Sequence, residues 1–167
     1  MGKRELAFAV FILIAGCRPQ QSGAPDASPS VRERTGNAEP TLIIRSGTFA
    51  GECVGYCERE LQITSKELAF EEHDRTGKSP TRRYRRPIKS DEWHDLLSRV
   101  DRAALNALPN EIGCPDCADG GGEWLEVDFG DARKRVTFDR GADVPQVRQL
   151  LTKVRALEAS IERLATQ

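Results

Sequence analysis

Histidine is scarce in this chain: only His73 and His94 occur in 167 residues. His94 sits beside Trp93, and no serine or cysteine is placed by sequence to complete a nucleophile–base–acid set. No enzyme constellation is visible, and a non-enzymatic protein is expected. An excess of one charge is also missing, with 25 lysines plus arginines against 26 aspartates plus glutamates. That balance argues against nucleic acid or an anionic membrane surface as a partner. Long apolar runs are lacking too. The run from Leu6 to Ala15 is about half of the roughly twenty residues a membrane helix needs. There is no internal repeat, and the acidic residues show no EF-hand spacing.

What is present begins at the first residue. Met1-Gly2-Lys3-Arg4 is a charged opening, Leu6–Ala15 is an apolar run, and Ile14-Ala15-Gly16-Cys17 closes it with small residues before a cysteine. These are the three parts of a secretory signal peptide. The closing tetrad resembles the lipobox of bacterial lipoproteins. That resemblance implies cleavage before Cys17, a diacylglyceryl group on the Cys17 thiol and a stable anchor, since two chains hold where one does not. Arg18 follows the cysteine where the family's sorting rules place Asp for retention at the inner membrane. The implied address is the cell envelope, at the periplasmic face of the outer membrane in a two-membrane organism.

Residues 1–16 therefore drop out of fold reasoning. The stretch Pro19-Gln20-Gln21-Ser22-Gly23-Ala24-Pro25-Asp26-Ala27-Ser28-Pro29-Ser30 has no apolar period and cannot bury enough surface to offset its ordering entropy. Residues 17–40 read as a lipidated N-terminus and a flexible linker with a root-mean-square reach of roughly 25–30 Å. Residues 41–167 are enough for one domain with its own core.

Within that domain, Thr41–Arg45, Glu60–Thr64, Leu68–Glu71 and Thr81–Ile88 read as strands. Ser90 is the expected N-cap of a helix over Asp91–Asp101, with Asp91 and Glu92 in the first turn. Leu105 and Leu108 prolong the apolar contact up to Pro109. Glu123–Phe129 and Arg135–Phe138 alternate cleanly as a hairpin. Asp143 is the expected N-cap of a last helix that keeps Val144, Val147, Leu150, Leu151, Val154, Leu157, Ile161 and Leu164 on one face. The order ββββ-α-ββ-α predicts an α+β domain: a mainly antiparallel sheet of about six strands with two helices on one face.

Five cysteines occur. With Cys17 consumed by lipid, Cys53 and Cys57 form a C-x3-C and Cys114 and Cys117 a C-x2-C. An oxidising compartment favours two structural disulfides. Local pairs, Cys53–Cys57 and Cys114–Cys117, are expected because each lies in a glycine-bearing turn, with cross-pairing the alternative. Two cysteine pairs on two turns are also the donor set of a tetrathiolate zinc site, so zinc is the alternative to a protein without cofactor. Cys114-Pro115-Asp116-Cys117 is spaced like a thioredoxin-type redox pair. Its thiols would need a helix N-terminus, and Ala118-Asp119-Gly120-Gly121-Gly122 cannot start one.

Asp116, Asp119 and Glu123 could ligate calcium, although turn geometry around three glycines explains them better. Arg82-Arg83-Tyr84-Arg85-Arg86 is a basic run. A strand would split its charges between two faces, which suits a charge-protected edge.

Ser46 to Cys57 followed by Leu61-Gln62-Ile63 resembles a family of uncharacterised bacterial envelope domains that open with a strand, a C-x3-C turn and a second strand and close with a helix. The likeness covers about Thr41 to Leu164. The Gly113–Gly121 segment occurs in only some relatives, and the proline usual in the first turn is absent before Cys57. The family has no established activity, so the resemblance implies a fold and no mechanism. The expectation is a lipid-anchored binding or structural domain for an envelope protein, peptide or glycan, and the alternative is a metal-binding or thiol-redox domain on the four cysteines.

Overall fold

Alternation of apolar and polar residues along five strands decides which side of the sheet is buried. The computed structural model describes residues 42–165. The signal-peptide, Cys17 and linker expectations lie outside the described residues. Seven strands make one sheet: β1 (Ile43–Phe49), β2 (Tyr56–Ile63), β3 (Glu67–Asp74), β4 (Arg82–Pro87), β5 (Glu111–Ile112), β6 (Gly122–Asp128) and β7 (Arg133–Asp139). Their spatial order is β4-β3-β2-β1-β6-β7-β5. Every neighbouring pair is antiparallel except β5 with β7, which is parallel. The sheet is thus mixed and has one strand more than the expected six. The addition, β5, is two residues long and carries no readable alternation.

The period of two places Ile44, Leu61, Ile63, Leu68, Phe70, Leu125, Val127, Val136 and Phe138 on one face, all nearly inaccessible. These residues share a core with Leu96 of α1 (Ser90–Leu97), Leu105 of α2 (Arg102–Ala107) and the apolar stripe of α3 (Arg148–Ala165). Leu150, Leu151, Val154, Leu157 and Ile161 of that stripe are buried. Leu164 was expected on it but is 52% exposed, in the final turn of α3.

The opposite face carries charge. Arg45 donates to Gln62 at 3.0 Å and to Glu126 at 3.0 Å. Arg83 pairs with Glu71 and Arg85 with Glu67, at 2.9 and 3.0 Å. β4 is a sheet edge, and its arginines divide as a strand requires. Arg86 turns to the helix side, where it meets Glu92 at 2.8 and 2.9 Å and Ser160 at 2.9 Å.

Helix boundaries differ from expectation for identifiable reasons. The helix expected over Asp91–Asp101 stops at Leu97. Asp101 instead caps α2, its Oδ1 accepting from the Ala104 N–H at 2.9 Å. Lys89 rather than Ser90 holds the cap position of α1, and Glu92 reaches back to the Lys89 N–H at 3.0 Å. Arg86, hydrogen-bonded to Glu92, holds that carboxyl down at about 2. Asp143 does not cap α3. Pro145 opens a 3-10 turn over Pro145–Val147, which moves the cap to Val144, and Asp143 pairs with Arg148 at 2.7 and 2.6 Å. Among the described residues no helix is long and apolar enough to cross a membrane.

Candidate functional site

Two disulfide-closed loops meet at one end of the sheet. The first joins β1 to β2. Cys53 and Cys57 are bonded, with Cα atoms 6.0 Å apart, and Cys57 is buried where β2 begins. Gly55 adopts a φ of +95°, which a side chain would strain. That turn lets its carbonyl accept from both Cys57 and Arg75, at 3.0 and 3.1 Å. Val54, at the tip, is 90% exposed.

The second loop joins β5 to β6. Cys114 and Cys117 are bonded, with Cα atoms 5.4 Å apart. Asp116 between them takes a φ of +65°, a left-handed conformation that Asp tolerates better than most residues. Its Oδ1 accepts from the Gly51 N–H at 2.7 Å and the Gly121 N–H at 3.1 Å. One carboxylate therefore ties the second loop to the first. A Cβ at Gly51 would stand 2.5 Å from the Asp116 carboxylate and would displace it from this bond. Arg75 completes the junction by donating to the carbonyls of Ala50 and Gly51.

The cysteines thus form the two local pairs. Among the described residues no group of three or more His, Cys, Asp or Glu could hold a metal ion. The calcium candidates also separate. Asp116 is spent on backbone amides. Glu123 is buried and grips Arg155 at 2.9 and 2.8 Å, while accepting from the Gly141 N–H at 3.1 Å. The Cys114–Cys117 pair runs into a 3-10 turn, Cys117–Asp119, not into an α-helix. His73 faces Thr81 at 3.3 Å and Glu71 at 3.5 Å on the charged sheet face. Both contacts are long for hydrogen bonds, and Glu71 is already held by Arg83. His94 is exposed.

Beside the first disulfide lies a cavity of about 320 Å³, lined by Thr48, Cys53, Tyr56, Arg59, Arg140 and Glu158 among others. Most of its neighbourhood is paired. Arg59 meets Glu162 at 2.6 Å and Glu72 at 3.6 Å. Tyr56 donates to the Pro80 carbonyl at 2.8 Å, and Arg82 lies 3.8 Å over its ring. Glu158 is different. Burial, then the charges of Glu162 and Glu123, push its carboxyl up to about 7, and Arg59 and Arg155 offset this only in part. The Thr48 Oγ1 is buried without a hydrogen-bond partner.

Sequence reading passed over these cavity residues, though a signal existed. Glu158 follows Leu151 and Val154 and precedes Ile161 at the spacing of α3's apolar stripe. Ser46 and Thr48 continue the inward register of Ile44 on β1. Polar groups at buried-face positions were the clue.

On the charged sheet face, a second groove of about 380 Å³ is lined by Phe49, Glu58, Glu60, His73, Trp124 and Arg135 among others. The Trp124 ring lies against Gly47, and Arg135 covers that ring at 3.8 Å. That guanidinium closes the aromatic face to a ligand.

No protein-family model matches the chain, and a search of curated proteins finds no match either.

Proposed function

We propose that this chain is a lipoprotein of the bacterial cell envelope, anchored through lipid on Cys17 and spaced from the membrane by residues 17–40. Its α+β domain is a non-enzymatic binding module for a protein, peptide or glycan of the envelope. The lipobox-like segment Ile14-Ala15-Gly16-Cys17 supports the anchor, and the arrangement at the disulfide end of the sheet supports binding. Two loops stiffened by Cys53–Cys57 and Cys114–Cys117 are locked together by Asp116. They present an exposed Val54 and border a cavity. Pre-organised loops lose little entropy on binding, and an apolar tip on such a loop is suited to anchor a contact.

The test is photo-crosslinking in intact cells with the reactive side chain at position 54 or, as a control, at exposed Gln149 on α3. A discrete adduct from position 54 alone, lost when Cys53 and Cys57 are both changed to serine, is the expected result. Equal adducts from both positions, or none from 54, would overturn the placement of the surface. Thiol labelling of protein taken from its own membranes checks the cysteines. No free thiol is expected, whereas free thiols with one zinc per chain would move the assignment to the metal-binding alternative.

A further inference from the structure

The cavity at the disulfide end holds three groups with unspent hydrogen-bonding or charge capacity. Glu158 has no hydrogen-bond or ion-pair partner among the described residues, nor does Arg140, and the Thr48 hydroxyl is buried with neither donor nor acceptor satisfied. Their surroundings make this unusual. Arg59 is taken by Glu162 and Glu72, Arg155 by Glu123, and Arg82 by Glu72. Buried or half-buried polar groups such as the Thr48 hydroxyl and Glu158 ordinarily find partners, while Arg140 is exposed at the rim. Leaving an acid, a cation and a hydroxyl unmatched around one cavity specifies the complement that would match them.

We infer that this cavity binds a small zwitterion of amino-acid or dipeptide size, its ammonium on the Glu158 carboxylate, its carboxylate on the Arg140 guanidinium and a polar atom on the Thr48 hydroxyl. The inference rests on reading this end of the domain as its binding surface. A bare cation would satisfy Glu158 but meet Arg140. A bare anion would satisfy Arg140 but meet Glu158 and its acidic neighbours Glu162 and Glu123. A zwitterion answers both. The volume, room for roughly ten waters, is at the small end of ligand sites and suits such a molecule. Four charged groups act on the protonation of Glu158: Glu162 and Arg155 from α3, Glu123 from β6 and Arg59 from β2; Arg140, from the turn after β7, lines the same cavity. Burial and the two acids hold the proton on. An arriving ammonium favours its release, so affinity should grow as pH rises through about 7 and fall again once the ligand amine loses its proton.

The experiment is an NMR titration of the full chain with four probes: alanine, dialanine, N-acetylalanine and alaninamide. The side-chain carboxyl of Glu158 and the backbone amides of Thr48 and Arg140 are followed. Alanine or dialanine should shift these signals saturably and lower the Glu158 titration midpoint. N-acetylalanine, which lacks the ammonium, and alaninamide, which lacks the carboxylate, should bind at least tenfold more weakly. Glu158→Gln and Arg140→Gln should each abolish the response while leaving the remaining spectrum in place. No response to alanine or dialanine, or equal responses to all four probes, would overturn the proposal. So would a Glu158 midpoint in the ordinary carboxylate range that rises in Arg140→Gln, because the two side chains would then be each other's partners. Failure here with position 54 still crosslinking would remove the ligand class and keep the binding surface. Success here without crosslinking would do the reverse.

Discussion

Asp116 holds two separate loops together at this end of the molecule through two backbone amides. Bonds from an ionised acceptor contribute about 1.5–3 kcal/mol each when they are well made, and part of that is local. Asp116→Ala should therefore speed amide hydrogen exchange at Gly51 and Gly121 by at least tenfold and leave the Leu61 and Leu125 amides unchanged. Asp116→Asn keeps a carbonyl acceptor and a tolerance for the left-handed region, so it should restore most of the protection. Uniform acceleration across the sheet would show that the bridge is global instead. Glu158 makes a second prediction, in which the sign matters. Its folded-state value of about 7 lies above the ordinary 4.5. Below about 4.5 both folded and unfolded chains carry the proton, and the full stability is present. As pH rises through about 7, the unfolded chain has already released its proton and the folded chain is forced to, so stability is lost. The loss reaches as much as about 3 kcal/mol above that range. Glu158→Gln should equal the parent in acid and exceed it at alkaline pH in denaturant unfolding, and parallel curves at all pH values would contradict the assignment. Neither residue's role was legible beforehand. Asp116 reads as a calcium candidate or a turn residue, because its partners Gly51 and Gly121 are set by chain reversal. Glu158 was a visible breach of an apolar stripe, and only burial gives it meaning.

Elements were more legible than residues, and their errors have a common cause. β2, β3, β6 and β7 follow alternation that one buried face imposes, so they can be read locally. Each runs one to four residues past its readable core because a neighbouring strand keeps supplying hydrogen bonds after the pattern stops. Tyr56 to Arg59 at the start of β2 is the clearest case, pairing with Glu72, His73 and Asp74. β5 has the opposite history. Glu111–Ile112 has no pattern and exists because β7 offers a free edge. The break between α1 and α2 turns on Asp101, which suits a helix end and a helix start equally well in sequence. Its capping bond to Ala104 settles the matter. Removing a cap of this kind costs about 1 kcal/mol. Asp101→Ala should lower the melting temperature by a few degrees, and Asp101→Ser should recover most of it. A melting temperature unchanged in Asp101→Ala would mean that burial of Leu105 and Leu108 alone fixes α2.

At the scale of the whole molecule, β1 sets the orientation. It is the central strand of the sheet and runs from Ile43 to Phe49, a length of roughly 20 Å. The described chain enters at the Ile43 end, and the disulfide loops lie at the Phe49 end. The described core and both disulfides are built from residues 42–165, so the proposed anchoring through Cys17 should be separable from folding. Cys17→Ser should move the protein from the membrane to the soluble fraction and abolish incorporation of labelled palmitate. Its thermal unfolding and its lack of free thiols should match those of the parent domain. The alanine response, with its dependence on Glu158, should survive unchanged. Lipid label retained in Cys17→Ser would place the modification elsewhere. A soluble variant whose domain unfolds at lower temperature would show that the anchor also stabilises the fold, which the burial of Ile44, Leu125, Leu151 and Ile161 within residues 42–165 gives no reason to expect.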